Sequence, residues 1–549
     1  MSVVFRVASI LILVWGPGRP GTAVADEAPR VNTAMQAHTL DQLADLVRRQ
    51  YYDSTDPVEL YHGAIEGYLS RLDPHSTYIS PEELQDTQDR MQGSFEGIGI
   101  YFEIIAGQLT VLSPIVGSPA YKAGLQAGDR IVKIDGVSVV GIRKTDEVKR
   151  RLKGPKGSSV IVLVHRSGVA DPLTFEIIRD KIEVPSVPYA FKLNADVGYV
   201  KIDRFSSRTS RELRVALEGL VEEGARKLIL DLRGNSGGYL EQAVAVADQF
   251  LEKDRLLVFT EGRRRGSRED HFADRDPIVP LDMPLTVLVD NYSASASEIV
   301  AGAVQDYDRG LIVGRTTFGK GLVQKQYSLK NGGAVLLTVA RYFTPSERPI
   351  QRPYSSDRRA YLQEAHDGYD PNADPDSVLS QPVYFTQILN RKVYGSGGIT
   401  PDVELEPVRQ GDFEQRLTRR HFFEFASRHG SEFTGTYPDF DAYLLQYSPG
   451  PREMTEFKEF LKAWESDLTF SDADFESGIA LIKRQMKRYF AKFRWGDREA
   501  GKVAVSQDPE VVQTLALFDR ARKLLADRTY YSTRRGRTHV PAMRGAEVR

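Results

Sequence analysis

The strongest constraint on the fold is an alternation of strand-like and helix-like runs between Val197 and Phe343. The runs Lys227–Asp231 and Leu285–Asp290 are mostly apolar, as expected for strands of a sheet that is covered on both faces. A helix-like run follows each of them, at Gly238–Leu251 and at Ser295–Gln305. Strands that alternate with helices in this way predict a layered α/β domain.

The remaining sequence divides into segments of different character. At 549 residues the chain is too long for a single hydrophobic core, so several domains are expected. Short β-branched runs with Gly-rich turns predict a compact β-rich module before the α/β domain, and apolar residues three and four apart predict helices at both ends. The predicted regions are a signal at 1–25, a helical region at 26–93, the β-rich module at 94–180, the α/β domain at 181–406 with a polar insertion at about 353–394, a helical region at 407–528 and a basic, disordered tail at 529–549.

The first residues have the pattern of an export signal. Arg6 precedes the apolar run Val7–Trp15, and Ala23-Val-Ala25 stands before Asp26. The run is too short to span a bilayer, which takes about 20 residues. An export signal cut after Ala25 is therefore predicted, which makes the protein periplasmic or associated with the cell envelope. A buried helix is the alternative, because only one basic residue precedes the apolar run.

Composition excludes several classes of chemistry. The chain has no cysteine, which excludes disulfides, cysteine metal sites and cysteine nucleophiles. The chain has 73 Lys and Arg residues against 75 Asp and Glu residues, so its net charge gives no positive potential that would attract nucleic acid. A zinc peptidase is not supported, because the sequence has no His-Glu-x-x-His. Chemistry must therefore use hydroxyl, amine, carboxylate or imidazole groups.

Two segments that follow buried strands carry candidate chemistry. In Asp231-Leu-Arg-Gly-Asn-Ser-Gly-Gly238, adjacent glycines can expose backbone N–H groups as an oxyanion hole requires, although a tight turn is the plainer interpretation. In Ser293-Ala-Ser-Ala-Ser-Glu298, serines stand where a helix begins, and the helix dipole there favours anionic intermediates. A helix N-cap is the plainer interpretation of those serines.

A third segment, Gly314–Gly321, nearly matches a phosphate-binding loop. Position 321 is glycine, so the hydroxyl that would hold Mg²⁺ is missing, and the run from Leu322 predicts a strand where that loop needs a helix. Beside the serines, Lys320 instead suggests a lysine base for a serine nucleophile. Such a lysine must lower its pKa from about 10.4 to about 7–8, which burial can supply. A solvated loop lysine is the alternative.

Together these motifs resemble the carboxyl-terminal processing (tail-specific) serine peptidases. The resemblance implies that Ser295 is the nucleophile, that Lys320 is the general base and that Gln324 orients the lysine. It implies an oxyanion hole formed by the N–H groups of Ala296 and of one glycine in the Gly237-Gly238 pair, with Gly237 favoured. It also implies a crotonase/ClpP-like spiral α/β catalytic domain, with no metal and no organic cofactor.

The β-rich module resembles the PDZ domain of the same family. The resemblance rests on Gly97-Ile-Gly-Ile100, Ser118–Leu125 and Ala127–Ile131, and Leu72–Tyr78 resembles the family's N-terminal signature. It implies that a substrate's C-terminal carboxylate binds the loop of Gly97, Ile98, Gly99 and Ile100 by β-augmentation. The chain departs from the family at Glu347, where the family has glycine, and the helical C-terminal third matches no family feature.

The sequence thus predicts a serine endopeptidase that recognises C-terminal tails of exported or unfolded proteins. Its expected partners are proteins or peptides with apolar C-termini, and no nucleic acid. The Arg-rich tail is a candidate for contact with a membrane surface, and the flanking helices are candidates for self-association. The alternative is a catalytically silent PDZ scaffold of the cell envelope, which would bind apolar C-terminal peptides without reacting with serine-directed reagents.

Overall fold

A computed structural model describes residues 33–105, 107–354, 358–367, 381–406, 408, 410–464 and 468–535. The predicted export signal at 1–25 lies outside these residues. Within the described ranges, no helix combines the length and the apolar character needed to cross a membrane. The last helix runs to Arg535, so the start of the segment predicted as a disordered tail is helical, and the rest lies outside the described residues.

The N-terminal region is mainly helical, as predicted. It contains α1 (Thr33–Gln50), α2 (Pro57–Leu69), β1 (Thr77–Ile79) and α3 (Pro81–Gln92). The start of α3 follows its sequence signals, because the Ser80 hydroxyl accepts from the N–H of Glu83 and a proline occupies the first turn. The short strand β1 is the departure from prediction, and it joins this region to a sheet of the α/β domain.

The β-rich module forms an antiparallel sheet. Its elements are β2 (Ser94–Gly97), β3 (Ile100–Ile105), β4 (Gln108–Pro114), α4 (Pro119–Ala123), β5 (Arg130–Ile134), β6 (Val137–Ser138), α5 (Thr145–Leu152), β7 (Ser159–His165), β8 (Leu173–Ile178) and β9 (Asp180–Glu183). The strand order is β3-β4-β5-β7-β8, while β2 pairs with β9 where the chain enters and leaves the module. Strand β3 therefore lies at an edge of the main sheet.

The described residues of the α/β domain form three sheets, of which a mainly parallel one of six strands is the largest. The elements are β10 (Tyr189–Lys192), β11 (Val197–Lys201), α6 (Thr209–Glu222), β12 (Lys227–Asp231), α7 (Leu240–Ala247), β13 (Leu256–Gly262), β14 (Glu269–Phe272), β15 (Leu285–Val289), α8 (Ala296–Asp306), β16 (Leu311–Gly314), β17 (Leu322–Ser328), β18 (Ala334–Phe343), α9 (Arg358–Asp367), β19 (Val383–Phe385), β20 (Lys392–Tyr394) and β21 (Val403–Glu404). The order of the largest sheet is β10-β11-β12-β15-β16-β21, with the pairs from β11 to β21 parallel. The second sheet contains β13, β14, β17 and β18, and β1 of the N-terminal region pairs with β18. Strands β19 and β20 pair with each other.

The C-terminal region is helical, as predicted, and has an aromatic core of its own. Its helices are α10 (Asp412–Arg416), α11 (Arg419–Thr434), α12 (Phe440–Gln446), α13 (Pro451–Trp464), α14 (Asp472–Ser477), α15 (Ile479–Trp495), α16 (Asp497–Ser506), α17 (Pro509–Leu515) and α18 (Phe518–Arg535). Ile105 of the β-rich module packs into this core, and Val511 and Phe518 pack against the parallel sheet. The region therefore touches both other domains.

Candidate active site

The first two motifs meet because their strands are neighbours. Strands β12 and β15 pair in parallel, so the segments that follow them emerge at the same edge of the sheet. The backbone carbonyl of Asn235 accepts hydrogen bonds from the N–H of Ala294 at 3.0 Å and from the hydroxyl of Ser297 at 2.9 Å. These bonds hold the glycine-bearing loop against the serine turn.

Ser295 occupies a strained turn directly before α8. Its φ is 62° and its ψ is −114°, a conformation that costs a non-glycine residue about 1–3 kcal/mol and is concentrated at functional sites. The side chain is fully buried, and its Oγ has no hydrogen-bond partner within the described part of the chain. A strained, buried hydroxyl without a partner is a candidate for a reactive group.

Glu298 joins the serine turn to the lysine loop. One carboxylate oxygen accepts from the N–H of Ser295 at 2.7 Å and from the N–H of Lys320 at 2.9 Å. The other accepts from the hydroxyl of Thr317 at 2.6 Å and the N–H of Gly319 at 2.7 Å. Burial raises the pKa of Glu298 to about 7, while these hydrogen bonds favour the carboxylate. No sequence motif marks Glu298 as a functional residue, although Ser295 and Glu298 have the spacing of a capping box.

The amine of Lys320 lies in a dry environment. The side chain is fully buried, and this burial lowers the pKa of Lys320 to about 7 against the opposing charges of Asp73 and Glu298. Its Nζ donates to Oε1 of Gln324 at 2.7 Å, and Nε2 of Gln324 donates to the backbone carbonyl of His75 at 2.6 Å. The structure therefore brings Lys320 and Gln324 together as the resemblance implies, and it adds a contact from the N-terminal region.

The backbone carbonyl of His75, which accepts from Gln324, belongs to the N-terminal signature Leu72–Tyr78. The carboxylate of Asp73 accepts from the backbone N–H groups of His75 at 2.9 Å and Ser76 at 2.8 Å. The imidazole Nε2 of His75 lies 2.9 Å from the hydroxyl of Tyr361, which belongs to α9 in the predicted insertion. Burial, with the charge of Lys320, lowers the pKa of His75 to about 2, so the ring is neutral. Tyr361 also packs edge-on against Phe318, which helps to explain why the site is closed to solvent.

The predicted oxyanion groups belong to the loop that approaches Ser295 and to the helix that begins directly after it. A Cβ atom at Gly237 would stand 2.8 Å from both Cβ and Oγ of Ser295, so the backbone of Gly237 directly faces the hydroxyl. The N–H of Gly237, however, donates to Oδ1 of Asn235 at 2.9 Å in this conformation. Ala296 is the first residue of α8, and its N–H has no acceptor one turn earlier in the helix.

The predicted peptide-binding residues connect β2 to β3 on the β-rich module. The carbonyl of Ile98 accepts from the N–H of Ala120, and that of Gly99 accepts from the N–H of Ile115, both at 2.9 Å. The Ser118 hydroxyl also donates to the Gly99 carbonyl at 2.9 Å. The carbonyls of Ile98 and Gly99 are thus hydrogen-bonded within the β-rich module. The loop that carries them lies next to the edge strand β3, which starts at Ile100.

Comparison with known proteins identifies the family. Residues 196–356 match the profile of peptidase family S41, and residues 110–166 match that of a PDZ domain. The carboxy-terminal-processing protease of Bartonella bacilliformis is 39% identical over 360 residues, which cover 64% of this chain and 80% of that protein. The chain belongs to peptidase family S41. The resemblance to carboxyl-terminal processing peptidases is thereby confirmed, as is an α/β fold that carries a PDZ domain.

Two further proteins are similar to this chain. The carboxy-terminal processing protease CtpA of Bacillus subtilis is 38% identical over 306 residues, which cover 56% of this chain and 64% of that protein. The photosystem II D1 C-terminal processing protease, a solved structure, shares 30% identity over 69% of this chain and 90% of its own, with a TM-score of 0.35.

Family membership favours the enzyme over the alternatives. The chain is a serine peptidase of the S41 family, so the interpretation as a silent PDZ scaffold loses support. The phosphate-loop alternative also fails on structure, because Leu322 begins strand β17 where a nucleotide-binding loop would need a helix.

Proposed function

We propose that this chain hydrolyses peptide bonds with Ser295 as nucleophile, Lys320 as general base and Gln324 as the group that orients the lysine. The observation that carries the proposal is the shared carboxylate of Glu298, which binds the backbone N–H groups of both Ser295 and Lys320. Ser295 and Lys320, 25 positions apart in the chain, thereby contact the same carboxylate, and burial lowers the pKa of the lysine to about 7, so that a large fraction of the amine is neutral at neutral pH.

In the proposed mechanism, the neutral amine of Lys320 takes the proton of Ser295 as Oγ attacks the scissile carbonyl carbon. The oxyanion is held by the N–H of Ala296 and by that of Gly237, once the latter exchanges its bond to Asn235 for one to the substrate. Lys320 then protonates the departing amine, and a water molecule releases the acyl group. Because Oγ of Ser295 accepts no bond in the described residues, the productive Ser–Lys contact forms on substrate binding.

The mechanism predicts a rise of activity with pH. Below a pH of about 7 Lys320 is protonated and cannot accept a proton, so kcat/KM is expected to fall about tenfold per pH unit there and to level off above it. Glu298, whose pKa burial raises to about 7, is protonated over the same range, and a requirement for its carboxylate makes the fall steeper than tenfold per pH unit. The measurement is kcat/KM for a fluorogenic peptide between pH 5 and 9, with thermal melts to confirm folding.

A variant assigns this pH dependence to the lysine. Gln324→Glu places a carboxylate where the amide oxygen now accepts from Nζ of Lys320 at 2.7 Å. An adjacent negative charge stabilises the ammonium ion, so the rising limb is expected to move to higher pH. A limb that does not move in Gln324→Glu, or a wild-type rate that falls with rising pH, would contradict the role of Lys320.

We further propose that the PDZ loop of Gly97, Ile98, Gly99 and Ile100 captures the apolar C-terminus of the substrate. Strand β3 lies at the edge of its sheet and can accept an added strand. The carbonyls of Ile98 and Gly99 are already engaged within the domain, so the N–H groups of the loop are the natural donors to a terminal carboxylate.

The tail proposal predicts a dependence on the substrate's C-terminal charge. For an unfolded substrate with an apolar tail, amidation of the terminal carboxylate is expected to lower kcat/KM at least about tenfold, since charge-assisted hydrogen bonds are lost. Cleavage is followed by intact mass, and a short peptide cut without tail recognition is the control that should be unaffected. Equal cleavage of free and amidated substrates would remove the PDZ domain from the proposal while leaving the active site intact.

We also propose that the protein is exported and acts in the periplasm or at the cell envelope on exported or unfolded proteins. The support is the signal-like pattern of residues 1–25. A reporter that is active only outside the cytoplasm, fused after residue 40, should be active with this segment and inactive without it. Activity that does not depend on the segment would contradict export by this signal.

A further inference from the structure

Glu510 of the C-terminal helical region lies between two arginines from the loops of the active site. Its Oε2 accepts from Nη1 of Arg233 at 2.6 Å, and its Oε1 is bonded to Nη1 of Arg315. Arg233 belongs to the glycine-bearing loop 231–238, and Arg315 belongs to the lysine loop 314–321. One carboxylate therefore connects the two loops from outside the α/β domain.

The contact between Glu510 and Arg233 is supported by a neighbouring carboxylate on each side, and it is shielded from solvent. Glu510 is 7% exposed. Asp508 holds it in place by accepting the N–H of Glu510 at 2.9 Å, and Asp508 is also 2.9 Å from Nη2 of Arg233. Arg233 in turn forms a two-point contact with the buried carboxylate of Asp231, at 3.1 Å from Nε and 2.6 Å from Nη2. Ion pairs with little exposure and several hydrogen bonds are far more directional than surface pairs.

Burial disfavours the ionised form of Glu510, yet the hydrogen bonds and charges of Arg315 and Arg233 outweigh burial and lower its pKa. The carboxylate is therefore charged at neutral pH. A neutral side chain of the same shape would leave both arginines without their shared anion, which makes Glu510→Gln an informative substitution.

Each arginine is a short distance along the chain from a group that the proposed mechanism uses. Arg233 is two residues before Asn235, whose Oδ1 accepts from the N–H of Gly237. Arg315 is two residues before Thr317, whose hydroxyl donates to Glu298. The same carboxylate accepts from the backbone N–H of Lys320. A shift of either arginine would therefore alter the spacing between the oxyanion loop and the lysine.

We propose that Glu510 is a positioning residue through which the C-terminal helical region sets the spacing of the oxyanion loop and the lysine loop. This inference rests on the proposed roles of Gly237 and Lys320. It gives the C-terminal third of the chain a part in the peptidase reaction: the region aligns the site without touching the substrate or the reacting atoms.

The test compares Glu510→Gln with Glu252→Gln. Glu252 also joins the α/β domain to the C-terminal region, since its Oε1 is 2.5 Å from Nη2 of Arg528, but it touches neither loop. Glu510→Gln is expected to lower kcat about tenfold with little change in KM, whereas Glu252→Gln should keep the wild-type kcat. Glu510→Asp, which keeps the charge, should recover part of the loss.

Two further readouts separate positioning from stability. The rate at which a serine-directed reagent labels Ser295 should fall about tenfold in Glu510→Gln at temperatures well below its melting transition. If Glu510→Gln fails to fold, Arg315→Gln provides the second test, with an expected fall in kcat of about threefold to tenfold. If both fold, the double variant should be no slower than Glu510→Gln, because both changes remove the same contact.

The outcomes are distinct. Wild-type kcat in folded Glu510→Gln, or an equal loss in Glu252→Gln, would overturn the positioning role. Ser295→Ala is measured beside them: if it is inactive while Glu510→Gln is fully active, only this inference fails. If Ser295→Ala retains activity, the proposed active site itself is wrong.

Discussion

The Lys320→Met protein is expected to lose peptidase activity by about 10⁴-fold or more while it keeps its fold. Removal of the group that accepts the nucleophile's proton has effects of this size in serine peptidases, and the remaining catalysis comes from the oxyanion hole and binding. Methionine nearly matches the length of the lysine side chain, so no large cavity forms in this fully buried position.

The same substitution should preserve or increase stability. Burial lowers the pKa of Lys320 to about 7, so between that pH and the ordinary lysine pKa the unfolded chain binds a proton that the folded protein excludes. This difference favours unfolding, and it grows as the pH falls from the ordinary lysine pKa until it levels off below about 7. A methionine removes it, and the melting temperature at pH 7 should therefore equal or exceed that of the wild type.

The decisive measurement pairs activity with active-site labelling. Lys320→Met and Ser295→Ala should both fail to react with a serine-directed reagent. Lys325→Met, a substitution of an exposed lysine on β17, the strand that follows Lys320, should behave as wild type. More than about 1% of wild-type kcat in Lys320→Met would show that another group accepts the proton.

Local patterns were enough to predict the domain types and the main motifs. The buried strands β12 and β15 and the helices that follow them have short-range signatures, and they confirm the α/β prediction around Asp231 and Ser295. The capping signals at Ser80 likewise lie within one turn of helix. Structure that depends on residues close together in the chain can therefore be predicted from the sequence.

The features that were missed depend on contacts between distant residues. Gln324 is held by a backbone carbonyl, that of His75, and a backbone atom has no signature in the choice of side chain. Glu298 showed only the spacing of a capping box, whereas its bonds to Gly319 and Lys320 arise from the arrangement of the sheet. Arg233 looks like an ordinary charged loop residue until the C-terminal region supplies Glu510.

Gly237→Ala is expected to lower kcat by about 10²–10³-fold, which is the effect of losing one oxyanion donor. The new Cβ would stand 2.8 Å from Oγ of Ser295, so either the loop moves away from the nucleophile or the serine changes rotamer. In the first case the N–H of residue 237 leaves the position proposed for the oxyanion, and in the second case the nucleophile leaves its position beside that N–H. The backbone at Gly237 also has φ of +100°, which an alanine adopts only with strain.

A second glycine of the same loop can separate the effect of backbone strain from the effect of a Cβ atom that obstructs Ser295. Gly234 has φ of +70°, but a Cβ there meets no atom within 4 Å, so Gly234→Ala adds backbone strain without approaching Ser295. Both variants should melt at lower temperature than the wild type, Gly237→Ala more so because its Cβ also meets Ser295, while only Gly237→Ala should lose kcat. If the two lose kcat equally, loop strain rather than obstruction of the nucleophile is the cause. If Gly237→Ala keeps full kcat, the N–H of Gly237 is not an oxyanion donor, and the bond it makes to Asn235 persists through the reaction.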